Sequence, residues 1–100
     1  MKEIVSKLNK AFESRLRLGI MSVLAVNDKL DFTSLRDLLG TTDGNLSSHL
    51  TALEREGFIK VIKKFVARKP KSIYSATDKG KKAFRLHLDL LEEIIRQQEN

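Results

Sequence analysis

The stretch Thr42-Asp43-Gly44-Asn45-Leu46-Ser47-Ser48-His49-Leu50-Thr51-Ala52-Leu53-Glu54-Arg55-Glu56-Gly57-Phe58-Ile59 decides the fold. Leu46, Leu50 and Leu53 recur at helical spacing, which predicts one amphipathic helix over 42–56 with His49 on the flank of its apolar side. At about 100° per residue the opposite side carries Asn45, Ser48, Thr51 and Arg55, with Ser47 and Ala52 near its margins. Thr42 offers a hydroxyl to cap the first turn, and Asp43 sets a carboxylate in the positive end of the helix. Gly57 ends the helix. Ser, Thr and Asn are poorer helix formers than Ala, Glu or Lys, so a face built from them is a weak choice for stability alone.

Upstream, Gly40 terminates a short helix from Leu35 to Leu39, for which Thr33 or Ser34 is the expected cap. Two short helices joined by a tight glycine-containing turn form a helix-turn-helix pattern. Ile4, Val5, Leu8 and Phe12 predict a helix over about residues 3–12, and Leu16, Ile20, Met21, Val23 and Leu24 predict another over about 13–26. Lys29 to Phe32 reads as a short extended segment. Downstream of Gly57 the period becomes alternating. Phe58 to Val66 reads as a strand, Ala67 to Lys71 as the hairpin tip, and Ser72 to Ala76 as the return strand. Thr77-Asp78-Lys79-Gly80 opens a final helix that runs to about Gln97. The expected class is mainly α with a small β-hairpin (α+β), as one domain over 1–100.

The net charge of +6 favours an anionic partner, and its distribution says more than its size. Residues 58–77 hold Lys60, Lys63, Lys64, Arg68, Lys69 and Lys71 and no acid, whereas residues 78–100 carry five basic and five acidic side chains. A local excess of this kind points to phosphate contact, although lysines on an edge hairpin also discourage edge-to-edge aggregation. The small polar side chains of the 42–56 helix suit a DNA major groove roughly 12 Å wide, where Asn bonds adenine edges and Arg forks onto guanine or reaches phosphate. Gly44 allows close backbone approach there.

Enzymatic chemistry finds no foothold. The two histidines, His49 and His87, lie outside any metal-ligand spacing, and no phosphate-cradling loop or nucleophile elbow is present. Glu92-Glu93 reads as part of a solvated helix face. The chain has no cysteine, which removes disulfides and thiolate metal or redox sites. No cofactor and no metal is expected. No apolar run is long enough to cross a bilayer, and the first residues lack the apolar core of a signal peptide, so no membrane partner and a cytoplasmic location are expected.

These residues carry a family resemblance. Thr42 to Phe58 fits the segment T-D-G-N-L-S-x-H-L-x-x-L-E-x-x-G-[FY] throughout. Arg68, Pro70, Lys71, Ser72 and Tyr74 fit R-x-P-K-[ST]-x-Y, Thr77 and Gly80 fit T-x-x-G, and Arg17 to Met21 fits R-L-x-I-[LM]. In these respects the chain, from about residue 13 to 95, resembles the small winged helix-turn-helix transcriptional regulators related to the MarR and ArsR types. The resemblance implies a homodimeric, sequence-specific binder of double-stranded DNA acting on transcription. It places the 42–56 helix in the major groove and the 58–77 hairpin, as a wing, on the minor groove or flanking phosphates. It assigns DNA contact to Thr42, Asn45, Ser47 and Ser48, and on the wing to Arg68, Lys69 and Lys71. The face and charge readings add Thr51, Arg55, Lys63 and Lys64. Cysteine-based metal sensing of the ArsR kind is excluded. Repression is the expected mode, since steric occlusion needs no further domain.

The final helix bears Phe84, Leu88, Leu91 and Ile95 as a coiled-coil-like seam, with Leu86, Leu90 and Ile94 as a second stripe. With the N-terminal apolar residues this suggests a two-fold dimer built on about 1–12 and 78–97, through Ile4, Leu8, Leu88, Leu91 and Ile95. Such a dimer sets two recognition helices roughly 34 Å apart or a related distance; the competing reading is that both stripes cover the domain's own core. A small-molecule effector seated between the terminal helices and the core is a further partner to test. The alternative function is a winged-helix interaction module that docks on protein without DNA binding, for which an acid-free wing has no purpose. RNA reading lacks exposed aromatic platforms.

Overall fold

The computed structural model describes residues 1–99. The elements in order are α1 (Lys2–Lys7), a single 3-10 turn (Lys10–Phe12), α2 (Arg15–Val26), β1 (Leu30–Asp31), α3 (Phe32–Leu39), α4 (Asp43–Arg55), β2 (Ile59–Val66), β3 (Lys69–Ala76) and α5 (Asp78–Gln98). The strands form one antiparallel sheet in the order β1-β3-β2. The protein is therefore mainly helical with a small sheet, a winged helix-turn-helix, as the sequence pattern implies.

The core gathers one stripe from each of α2, α3, α4 and α5, while α1 adds no buried residue. Ile20, Met21 and Leu24 of α2, Leu35 of α3, and Leu46, Leu50 and Leu53 of α4 are buried together with Phe58, Ile59 and Phe84. Phe12 closes the cluster, 5.2 Å from the ring of Phe58 and 5.4 Å from that of Phe84. Phe84 is thus a core residue, and the outer seam of α5 begins only at Leu88.

Four boundaries differ from the sequence expectation. The helix expected over 3–12 breaks at Leu8, whose backbone is extended (ψ 140°), and the chain re-enters as a 3-10 turn capped by Asn9. The Asn9 amide donates to Nδ1 of His87 on α5 at 3.1 Å, so a tertiary partner wins over helical periodicity. The second helix starts at Arg15 with Ser14 as its cap. The cap of α3 is Asp31, whose carboxylate accepts from the Ser34 amide at 2.8 Å, in place of Thr33 or Ser34. Finally, the hairpin tip is only Ala67-Arg68, both at positive φ (51° and 67°), and the return strand already begins at Lys69. A two-residue loop with both residues left-handed is the type I′ turn that matches strand twist.

Candidate nucleic-acid interface

The placement of α4 follows from its two ends. At its start the Thr42 hydroxyl accepts from the Asn45 amide at 3.2 Å, and Arg36 of α3 pairs with Asp43 at 2.9 Å. The turn before it is closed by Gly40 in the left-handed region (φ 61°), with the Thr41 amide bonded to the carbonyl of Arg36. At its end Gly57 takes φ 79°, the Gly57 amide bonds to Glu54 and the Phe58 amide to Leu53. This C-terminal motif satisfies the last carbonyls and turns the chain directly into β2. Lys79 of α5 adds a donor to the carbonyl of Glu56 at 2.9 Å, where the helix dipole favours a cation.

The same corner explains why two motifs travel together. Thr77 donates its hydroxyl to the carbonyl of Gly57 (2.6 Å) and accepts from the Gly80 amide (2.9 Å), while its own amide bonds to the carbonyl of Phe58. Gly80 sits so close to that strand that a Cβ would lie 2.0 Å from the Phe58 oxygen. The Gly-Phe ending of the recognition segment and the T-x-x-G start of α5 are two sides of one contact.

With Leu46, Leu50 and Leu53 held in the core, α4 turns Thr42, Asn45, Ser47, Ser48, Thr51 and Arg55 outward, all exposed. His49 faces inward, its Nδ1 accepting from Arg17 Nε at 3.0 Å, which ties α4 to α2. Ser47 and Thr51 share an open recess of about 370 Å³ with Lys63 and Ser72 of the hairpin. Asn45 lies toward the other flank, in a recess shared with Arg15 and Thr41. The outer face is therefore broader than a single stripe, and it is continuous with the wing on one side.

The wing residues are exposed as well, but strand alternation divides them. Cross-strand partners share a face: Val61 with Tyr74, Lys63 with Ser72, and Phe65 with Pro70 lie on the side turned toward α4. Lys64 with Lys71 and Val66 with Lys69 lie on the reverse side, and Arg68 stands at the tip. Among the described residues Lys63, Lys64, Arg68 and Lys69 form no ion pair. Lys71 is different, because it pairs with Asp31 at 3.1 Å. The Ser34 hydrogen bonds, followed by Lys71, hold the Asp31 carboxyl at about 2, below its ordinary 3.8. Lys64 lies opposite Lys71 in the ladder, and of the two only Lys71 has an acidic partner, Asp31.

Sequence reasoning missed three participants. Arg36 sets the first turn of α4, Arg17 holds His49, and Phe65 stands exposed at 77% beside the wing tip. The register of β2 on β3 puts Phe65 on the Val61 face, and the short tip leaves nothing to cover it. The terminal residues read as a dimer surface are present at the surface: Leu88 and Ile95 are exposed, and Ile4, Leu8 and Leu91 half-buried where α1 lies along α5. Among the described residues no group of His, Asp and Glu is arranged to hold a metal ion, and no helix is long and apolar enough to cross a membrane.

Comparison with known proteins agrees with this architecture. The winged helix DNA-binding domain family matches residues 16–95. An uncharacterised protein of Methanocaldococcus jannaschii is 35% identical over 79 residues, covering 79% of this chain and 86% of that protein. The structure of a transcriptional regulator homologue from Pyrococcus horikoshii superimposes with a TM-score of 0.87 at 32% identity, over 99% of this chain and 96% of that one. The S. aureus MepR–DNA complex superimposes with a TM-score of 0.74 at 20% identity, over 99% of this chain and 82% of that one, a likeness of fold. The chain belongs to the winged helix DNA-binding domain family, and it is a DNA-binding regulator of the winged-helix type.

Proposed function

We propose that the protein acts as a homodimeric, sequence-specific repressor, with α4 in the major groove and the β2–β3 wing on the adjacent minor groove or its phosphates. The observation that carries this reading is the shared recess. Short polar side chains of α4 (Ser47 and Thr51) and an unpaired cation of the wing (Lys63) open onto one surface, with Glu54 of α4 at its border. The first group suits base edges and the second suits phosphate. Thr42, Asn45, Ser48 and Arg55 extend the helix contribution; Lys64, Arg68, Lys69 and Lys71 extend that of the wing.

The dimer is supported by the exposure of Leu88 and Ile95, which share one stripe of α5, with Val5 of α1 exposed as well. A small-molecule effector also finds room. Met21, Ala25, Ala76, Phe84 and Leu88 line a cavity of about 250 Å³ between α2, β3 and α5, with Lys81 and Arg85 at its border, which suits a small apolar acid.

The test is selection from a random duplex pool, followed by titration of the winning site at several salt concentrations and sedimentation of the free protein. The expected result is a two-fold symmetric site, binding that weakens steeply with salt, and a dimer. Absence of salt-dependent duplex binding sinks the DNA reading and leaves the protein-docking module. A monomeric sediment with a single half-site sinks the dimer alone.

A further inference from the structure

Among the described residues only Val26, at the end of α2, is a more exposed large apolar side chain than Phe65. It does not belong to the core, and the charge-based account of the wing leaves it unused. Its position is well defined by the hairpin. The Ala67-Arg68 turn makes Val66 and Lys69 the closing pair, so Phe65 and Pro70 are the next pair inward. Hydrogen-bonded and non-hydrogen-bonded pairs alternate in an antiparallel ladder, and the second kind brings side chains closest. Proline, with no N–H to give, fits that position. Phe65 is thus buttressed by a rigid ring and projects from the face that is turned toward α4.

We propose that Phe65, backed by Pro70, is an apolar wedge that enters the minor groove beside the α4 site, packs on deoxyribose and opens one base step. The inference rests on the DNA-binding reading above and adds to it a contact of a different kind. The occupant is indicated by charge. Lys63 shares the face of Phe65, Arg68 stands at the tip, and Lys64 and Lys69 flank it on the reverse side, all without ion-pair partners among the described residues, so a partner that covers Phe65 also meets the cations of the wing and must be anionic. DNA offers phosphates around a groove whose walls are apolar sugar, and Phe and Pro are among the side chains that wedge between its base steps. The reach also fits. Four residues of strand from Val61, which lies beside α4, to Phe65 span about 13 Å, enough to pass one phosphate backbone from the major groove into its neighbour.

The experiment uses the full chain and the duplex recovered by pool selection, with 2-aminopurine placed in turn at each step flanking the major-groove contacts. Wild-type protein is expected to raise fluorescence at one flanking step, to bend the duplex, and to favour a flexible pyrimidine–purine step there. Phe65→Ala is expected to abolish the fluorescence change and the step preference and to weaken binding about ten-fold, with the salt slope unchanged. Phe65→Leu, another wedge-forming side chain, is expected to restore most of the signal. Lys69→Ala is expected to lower the salt slope and keep the fluorescence change. The wedge is overturned if wild-type protein binds the duplex but Phe65→Ala leaves fluorescence, bend and step preference intact. It is equally overturned if Phe65→Ala changes the sedimentation of the DNA-free protein, since a second copy is then the occupant. Wild-type protein that binds no duplex at all refutes the DNA reading itself, and the wedge with it.

Discussion

The recognition helix and the wing form one outer surface, yet they are held in opposite ways. Helix α4 hangs from the core by Leu46, Leu50 and Leu53, is pinned at both ends, and presents short side chains. The outer wing has no core beneath it; residues 62–71 are exposed throughout and are held mainly by the β2–β3 ladder. A base edge is read only by groups fixed to within a fraction of an ångström, whereas a phosphate backbone tolerates long, adjustable cations. On the proposed reading of the interface, rigidity belongs to α4 and adjustable charge to the wing.

The strongest way to break this contrast is to attack the anchors of the rigid half. Leu50→Ala is expected to cost about 3 kcal/mol, through lost burial plus the cavity left behind. Gly80→Ala is expected to cost at least as much, because its Cβ would meet backbone atoms of Phe58 that cannot swing away. Either change should lower the thermal midpoint by well over ten degrees for a domain of this size. On the wing, Lys64→Ala should stay within about 0.5 kcal/mol. If Lys64→Ala and Leu50→Ala destabilise alike, the division between anchored helix and free wing is wrong.

The second test moves from stability to DNA. Asn45→Ala is expected to cost about 1–3 kcal/mol at one base position and to relax preference there. Lys69→Ala is expected to weaken every sequence by a similar factor and to lower the salt slope by about 0.9. Measured binding of both variants to the selected site and to a scrambled duplex separates the two roles. Identical behaviour of the two variants would erase the distinction between reading and gripping.

How much of this was legible in the sequence depends on how local the cause is. Helix α4 was legible because Leu46, Leu50 and Leu53 set its period and Thr42, Gly40 and Gly57 punctuate it within a few residues. The break at Leu8 was not, since no Gly or Pro marks it and its cause, His87, is far along the chain. Asp31 is hard to read as a cap from the sequence, because it also pairs with Ile73 in the sheet, so one residue ends a strand and begins a helix. The sequence makes the wing tip look longer than it is, because Ala-Arg is not a pair that ordinarily signals a type I′ turn, while Pro70 looks like a turn residue. On the outer surface, residue types named the candidates, but their division between two wing faces needed the register of β2 on β3.

A smaller effect probes the join between the two halves. Asp31 caps α3 and neutralises Lys71 of the wing. Its folded pKa of about 2 lies below the ordinary 3.8, so the charged form stabilises the fold. The contribution is complete above about pH 4 and is lost as pH falls toward 2. After allowance for solvent screening it amounts to about 1 kcal/mol. Asp31→Asn keeps a good cap but removes the charge, so the acid limb of a stability–pH profile should flatten. The same variant frees Lys71 and should raise DNA affinity slightly. An unchanged acid limb would show that Asp31 is not the titrating group.

The smallest expected effect lies in the turn itself. Ala67 and Arg68 both adopt left-handed backbone, which disfavours residues bearing a Cβ. Asn is better suited to the first position and Gly to the second. Ala67→Asn should therefore raise stability by a few tenths of a kcal/mol, and the pair Ala67→Asn with Arg68→Gly by roughly 0.5–1 kcal/mol, read by denaturant midpoint at constant slope. The two variants diverge on DNA. Ala67→Asn keeps the Arg68 guanidinium and should bind as the parent does; the double variant loses it and should bind more weakly at every salt concentration. A protein that retains Arg68 at a strained position, when glycine would fold better, holds the side chain for its charge. If the double variant binds DNA unchanged, the charge at the tip has no such use, and the grip of the wing resides in Lys63, Lys64 and Lys69 alone.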